Sequence, residues 1–139
     1  MTNKFSSIEA AIDAIGRGEI VIVLDAEDRE NEGDFICAAE KITPAMVNFI
    51  TANGKGMLCA PILPEVAERL QLPPMAEKNL DSLRTAYTIT VDHKSVRTGI
   101  TAAERARTIQ ALADPKTEPA DLIRGGHMGM CRTVLNSGN

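Results

Sequence analysis

The sequence predicts a mixed α+β fold in a single domain, with a mixed sheet flanked by helices, and three observations carry that prediction. Helical and strand periodicities interleave without the regular strand–helix–strand cadence, or the Gly-x-Gly-x-x-Gly turn, of a doubly wound sheet. The 139 residues point to one domain with enough length for a real core. Hydrophobic residues at 44% and charged residues at 24% are the proportions of an ordinary soluble globular protein. Aromatics are only 3% and Trp is absent, so the core must be built from Ile, Leu, Val, Ala and Met.

The elements follow in order. Ser7 precedes Ile8, Ala11, Ile12 and Ile15, apolar positions at helical spacing behind a capping residue, and Gly16 and Gly18 stop the helix. Residues 20–24 form a short β-branched run bounded by Gly18 and Asp25, which predicts a buried strand. Strand character returns over residues 35–39. Thr43-Pro44 supplies a cap and a first-turn proline for a helix to about Asn53, with Gly54 and Gly56 closing it. Residues 57–62 read as a strand and 64–70 as a short helix. Residues 73–84 are polar and irregular, a loop. Residues 85–91 alternate as a strand does. Thr101 and Glu104 form a capping box for a helix to about Leu112, and residues 119–123 read as a helical turn.

The composition also excludes classes of function. A formal net charge of -4 and the lack of a Lys/Arg run argue against a nucleic-acid partner. One Tyr and three Phe supply few stacking platforms for single strands. The apolar run at residues 20–24 is far short of a membrane span, and the N-terminus lacks a signal peptide's apolar core, so a cytoplasmic setting is expected. Cys37, Cys59 and Cys131 are odd in number and contain no Cys-x-x-Cys pair, which supports neither a disulfide framework nor a zinc knuckle.

The segment with the strongest chemistry lies between the first two strands. Asp25, Glu27, Asp28, Glu30, Glu32 and Asp34 crowd into a stretch that also holds Arg29, Asn31 and Gly33. An acidic run is often only solvated surface, but this one is anchored at both ends, and Gly33 permits a close approach of the backbone. If residues 30–34 are extended, Glu30, Glu32 and Asp34 share one face. Carboxylates so placed repel one another unless a cation compensates, and a hard divalent ion such as Mg²⁺ is the natural partner. The spacing does not match an EF-hand. Chemistry alone therefore points to a Mg²⁺-dependent site for a polar, phosphorylated metabolite.

The string Asp28-Arg-Glu-Asn-Glu-Gly-Asp34, following Val23-Leu24-Asp25, closely resembles the signature of the 3,4-dihydroxy-2-butanone 4-phosphate synthases. The resemblance continues through residues 54–59, Val96-Arg-Thr-Gly-Ile-Thr-Ala-Ala-Glu-Arg105 and Asp121-Leu-Ile-Arg-Gly-Gly-His127. It implies the conversion of D-ribulose 5-phosphate into 3,4-dihydroxy-2-butanone 4-phosphate and formate, a step of riboflavin biosynthesis. It implies Mg²⁺, with Mn²⁺ able to stand in, and a homodimer with sites at the subunit interface.

By position, Glu30 matches the family's metal-binding glutamate, with a place in catalysis as well. Arg29 and Asp34 match residues that contact the sugar phosphate, and Asp34 is counted with the catalytic set. Asp25 and Glu32 are further contributors from the same loop. His127 matches a family histidine used for proton transfer, where the bland alternative is an exposed His in a Gly-rich turn. Cys59 matches a recurrent cysteine near the site, equally readable as a buried strand cysteine. Thr98 could help to bind phosphate or could be turn chemistry alone. His93 has no family role and is expected on the surface.

The resemblance stops after His127. Gly126 stands where the family has a proline, and the family's second histidine motif and later glutamate are not found among the 139 residues. The expected division is an incomplete synthase-like domain over residues 1–127 and a divergent tail over 128–139. The alternative function is a catalytically impaired fragment or relative that keeps the acidic metal and sugar-phosphate loop but acts only as a binding or structural protein.

Overall fold

The computed structural model describes residues 5–28 and 30–133. Short-range signals place the helices. Helix α1, Ile8–Arg17, starts where the Ser7 hydroxyl accepts the Ala10 N–H and ends at Gly18, whose φ of 85° is left-handed. Gly16 lies inside this helix, so Gly18 alone is the stop. Helix α2, Pro44–Gly54, is capped by Thr43 through the Met46 N–H. Helix α3 is Pro64–Arg69, and α4, Ala102–Ala113, carries the full capping box of Thr101 and Glu104.

Six strands pair in short, mixed ladders. Strands β1, Val21–Leu24, and β2, Gly33–Ile36, form an antiparallel hairpin in which Val23 faces Asp34 and Leu24 faces Gly33. Strand β3, Cys59–Ile62, runs parallel to β6, Gly129–Arg132. Strands β4, Val91–His93, and β5, Leu122–Arg124, are antiparallel. Bridges from Tyr87 to Cys131 and from Val91 to Met128 lay β4 and the chain before it along β6 and the residue that leads into it. Pro74 then bridges to Thr88 on its far side.

The core is aliphatic, as the composition predicts. One cluster gathers Ile62, Leu70, Leu72, Val91, Leu112, Leu122 and Met130. A second joins Ile42 and Val47 to Ala106, Ile109 and Met128, so α4 is the element on which both halves pack.

Four expectations are corrected. The β1 strand is not buried: Ile22, Val23 and Leu24 are exposed, as are Ile8 and Ile12 of α1, because this hairpin and helix lie at the edge of the described structure. The strand expected over residues 85–91 is regular only from Val91, and is held earlier by the bridges at Tyr87 and Thr88. The turn at 119–123 is a single 3₁₀ turn, Pro119–Asp121, that passes directly into β5. His93 is buried rather than on the surface. Its burial is tolerated because Thr108 Oγ1 accepts its backbone N–H at 3.0 Å and its Nδ1 accepts the Ser95 N–H at 3.2 Å.

Strand β6 lies past the boundary drawn at residue 127. Met128 and Met130 are among the most deeply buried side chains of the core. Residues 134–139 of that segment lie outside the described residues.

Candidate active site

The acidic segment is the loop of the β1–β2 hairpin. The Asp25 N–H donates to the Glu32 carbonyl at 3.0 Å, which extends the ladder by one rung beyond Leu24 and Gly33. The Asp25 carboxylate then turns inward on the loop, accepting the N–H of Ala26 at 2.8 Å and of Glu30 at 3.1 Å. An aspartate that binds nearby main-chain N–H groups winds a loop tightly. Asp25 is thereby a loop-forming residue, whatever it does for a ligand.

The shared face expected of Glu30, Glu32 and Asp34 does not form. Asn31 sits at φ 52°, in the left-handed region, and breaks the alternation between Glu30 and Glu32. All three side chains are exposed, and among the described residues no group of three His, Cys, Asp or Glu side chains is placed to hold a metal. The donor chemistry still suits a hard cation. A hydrated Mg²⁺ keeps several waters and needs only one or two carboxylates from the protein. Arg29 lies outside the described residues.

Asp34 and Cys59 do come together. Both line a cleft of about 530 Å³ whose walls include Phe35, Cys37, Ile42 and Ile109. Burial, with the neighbouring Cys131, pushes the Cys59 thiol up to about 12. At neutral pH it is a neutral thiol and no nucleophile.

A second grouping surrounds His127. Its ring Nδ1 lies 2.8 Å from Asp92 Oδ2, and its backbone N–H donates to Asp92 Oδ1 at 3.0 Å. The two side chains differ in environment: Asp92 is 11% exposed and His127 49%. Asp92 is carried by β4, where it faces Ile123 of β5. Its carboxylate presses against Gly99, at which an added Cβ would stand 2.0 Å from Oδ2. At Gly126 an added Cβ would stand 2.3 Å from the Asp92 backbone nitrogen, 2.4 Å from the Val91 carbonyl carbon and 2.5 Å from Asp92 Cγ, so a glycine here lets the chain lie against β4.

The turn before α4 is organised by Glu104. Its carboxylate accepts the Thr98 hydroxyl at 2.6 Å, the Thr98 N–H at 3.1 Å and the Arg97 N–H at 2.8 Å. These bonds, that of the Thr98 hydroxyl first, lower the Glu104 carboxyl to about 2. The donors of Thr98 that could have met a phosphate are thus directed at Glu104. In this structure Thr98 shapes the turn that brings Gly99 against Asp92.

The residue that sequence reasoning missed is Asp92. A signal existed: an acidic residue directly after buried Val91, inside an otherwise apolar and Thr-rich alternation, is out of place unless it has a partner. Glu104 was read as a cap, and its hold on Thr98 and Arg97 was not.

The family model described as 3,4-dihydroxy-2-butanone 4-phosphate synthase matches residues 9–136, a span that takes in the hairpin loop, the cleft, Asp92 and His127. The chain belongs to the 3,4-dihydroxy-2-butanone 4-phosphate synthase family. The riboflavin biosynthesis protein RibBA of Bacillus subtilis (strain 168) is 51% identical over 124 residues, 89% of this chain and 31% of that protein. The RibBA of Bacillus mycoides (strain KBAB4) is 52% identical over the same shares. A 3,4-dihydroxy-2-butanone 4-phosphate synthase solved in complex with two magnesium ions superposes with a TM-score of 0.92 at 41% identity, covering 94% of this chain and 62% of that one. The synthase of Candida albicans gives 0.84 at 45% identity, covering 95% and 65%. The chain therefore spans about a third of the length of the RibBA proteins it matches. As in those synthases, the fold is mixed α+β. Among the described residues no helix is long and apolar enough to cross a membrane.

Proposed function

We propose that the protein acts in riboflavin biosynthesis as a lyase that converts D-ribulose 5-phosphate into 3,4-dihydroxy-2-butanone 4-phosphate and formate. The observation that carries this reading is the hairpin loop wound by Asp25, which presents Glu30 and Glu32 in exposed positions with Asp34 at the edge of the cleft that reaches Cys59. It is supported by a family match that spans this loop and His127 together.

Glu30 would hold Mg²⁺, with Mn²⁺ as a substitute. When bound, such an ion supplies Lewis-acid polarisation of the substrate's carbonyl and hydroxyl oxygens. Asp34, an exposed acceptor at the cleft, takes hydrogen bonds from the sugar hydroxyls. Glu32 adds negative charge to the same loop and with it draws the cation there. Arg29 contacts the phosphate, the anion that a guanidinium fork binds best. His127 accepts and returns a proton at the ring edge that faces away from Asp92, as a reaction that moves protons between neighbouring carbons requires. Cys59, neutral at working pH, lines the cleft. The exposed apolar side chains of α1 and β1 suit self-association, in keeping with a homodimer, and the free cysteines suit a reducing, cytoplasmic setting.

The test uses ribulose 5-phosphate labelled with ¹³C at C4, Mg²⁺ and the purified protein, with formate followed by NMR and a Glu30→Gln preparation run in parallel. Labelled formate that requires Mg²⁺, vanishes with EDTA and is absent in the variant is the expected result. Formate no higher than the variant's background overturns the proposal.

A further inference from the structure

We infer that Asp92 is the positioning residue that fixes the tautomer of His127 and so decides which ring nitrogen can take a proton. The inference deepens the reading of His127 as the proton-transfer group and rests on it for its place in the reaction.

A carboxylate offers only acceptors. With Oδ2 at 2.8 Å from Nδ1, the neutral imidazole carries its proton on Nδ1, and Nε2 is left with a lone pair on the far edge of the ring. The second oxygen accepts the backbone N–H of the same residue at 3.0 Å, so Asp92 grips both the ring and the main chain of His127. The grip is well supported. Asp92 is buried in β4, its main chain pairs with β5, and the left-handed turn at Gly99 packs against its carboxylate. The outer part of His127 stays half exposed, where a substrate can reach it.

The same geometry predicts what Asp92→Asn does. The backbone N–H of His127 can only donate, so it takes the amide oxygen of the new side chain. The amide NH₂ then faces Nδ1, which must become the acceptor, and the ring proton moves to Nε2. The base would be turned around within an unchanged frame, as in the aspartate-to-asparagine change of a serine-protease triad.

The two histidines of the chain make the experiment self-controlled. His93 serves as the reference, because its Nδ1 meets only Ser95, whose N–H lies 3.2 Å and whose hydroxyl lies 2.7 Å away. In ¹⁵N-histidine-labelled protein, at a pH where both rings are neutral, long-range ¹H–¹⁵N spectra distinguish pyrrole-like from pyridine-like nitrogens. A His127→Gln sample assigns the signals. The expected result is Nδ1–H for His127 in the unmodified protein. Asp92→Asn inverts His127 alone, with the His93 signals unmoved as evidence of a retained fold. A His127 that carries its proton on Nε2 from the start, or whose tautomer does not respond to Asp92→Asn, overturns the inference. If Asp92→Asn disturbs His93 as well, the unmodified protein's tautomer decides alone.

In the formate assay the variant should lose kcat by roughly 10²–10⁴-fold with KM little changed. The tautomer needs no substrate. Failure of the formate reaction with the Nδ1–H tautomer intact therefore refutes the proposed reaction and leaves the Asp92 assignment standing.

Discussion

A methyl group at position 99 would collide with the carboxylate that holds His127. In Gly99→Ala the new Cβ would stand 2.0 Å from Asp92 Oδ2 and 2.3 Å from Cγ, far inside contact distance. Position 99 also has φ 73°, so alanine there carries left-handed strain of about 1–2 kcal/mol. Moving the carboxylate aside forfeits its bond to the His127 N–H, and a hydrogen bond to a charged group contributes about 1.5–3 kcal/mol. A matched control lies in the same region. Gly125 has φ 79° and nothing within 4 Å of an added Cβ, so Gly125→Ala isolates the strain. The difference between the two variants is then the Asp92 contact alone. With a urea m-value of about 2 kcal/mol/M, it separates their unfolding midpoints by roughly 0.8–1.5 M. Equilibrium urea unfolding followed by circular dichroism measures it. Midpoints within about 0.3 M of one another, or a Gly125→Ala that is the weaker of the two, would refute the claim that Gly99 exists to seat Asp92.

Two further outcomes follow from the structure. Met130→Ala empties a fully buried position where β6 packs in the core, and should cost about 2–5 kcal/mol in the same unfolding assay. Glu104, lowered to about 2 when folded against an ordinary 4.5, contributes stability that is fully present above pH 4.5 and is lost as the pH falls toward 2. The urea midpoint of the unmodified protein should therefore drop over that window more steeply than that of Glu104→Gln. Parallel curves would mean that Thr98, Thr101 and Arg97 do not hold this carboxylate.

What could be read from the sequence was what local chemistry decides. The starts of α1, α2 and α4 were legible because Ser7, Thr43 and Thr101 each cap an N–H three residues ahead. The acidic loop was legible as a candidate site because its carboxylates are crowded within one short hairpin connection. Its geometry was not, since one left-handed residue, Asn31, undid the alternation on which the shared carboxylate face depended.

The sequence by itself determined the starts of α1, α2 and α4, the aliphatic character of the core and the family motif that marks Glu30, Asp34 and His127 as candidates. Tertiary structure decided the partners. Strand β6 lies parallel to β3, some seventy residues earlier, as the Thr133 N–H bound to the Ile62 carbonyl illustrates. His93 is buried because α4 brings Thr108 to it. Asp92 meets His127 across 35 residues. A cap or turn is settled by atoms a few bonds apart along the chain. Which carboxylate orients which imidazole is settled only when burial of Val91, Leu122, Met128 and Met130 docks their strands together, a packing choice that no local pattern encodes.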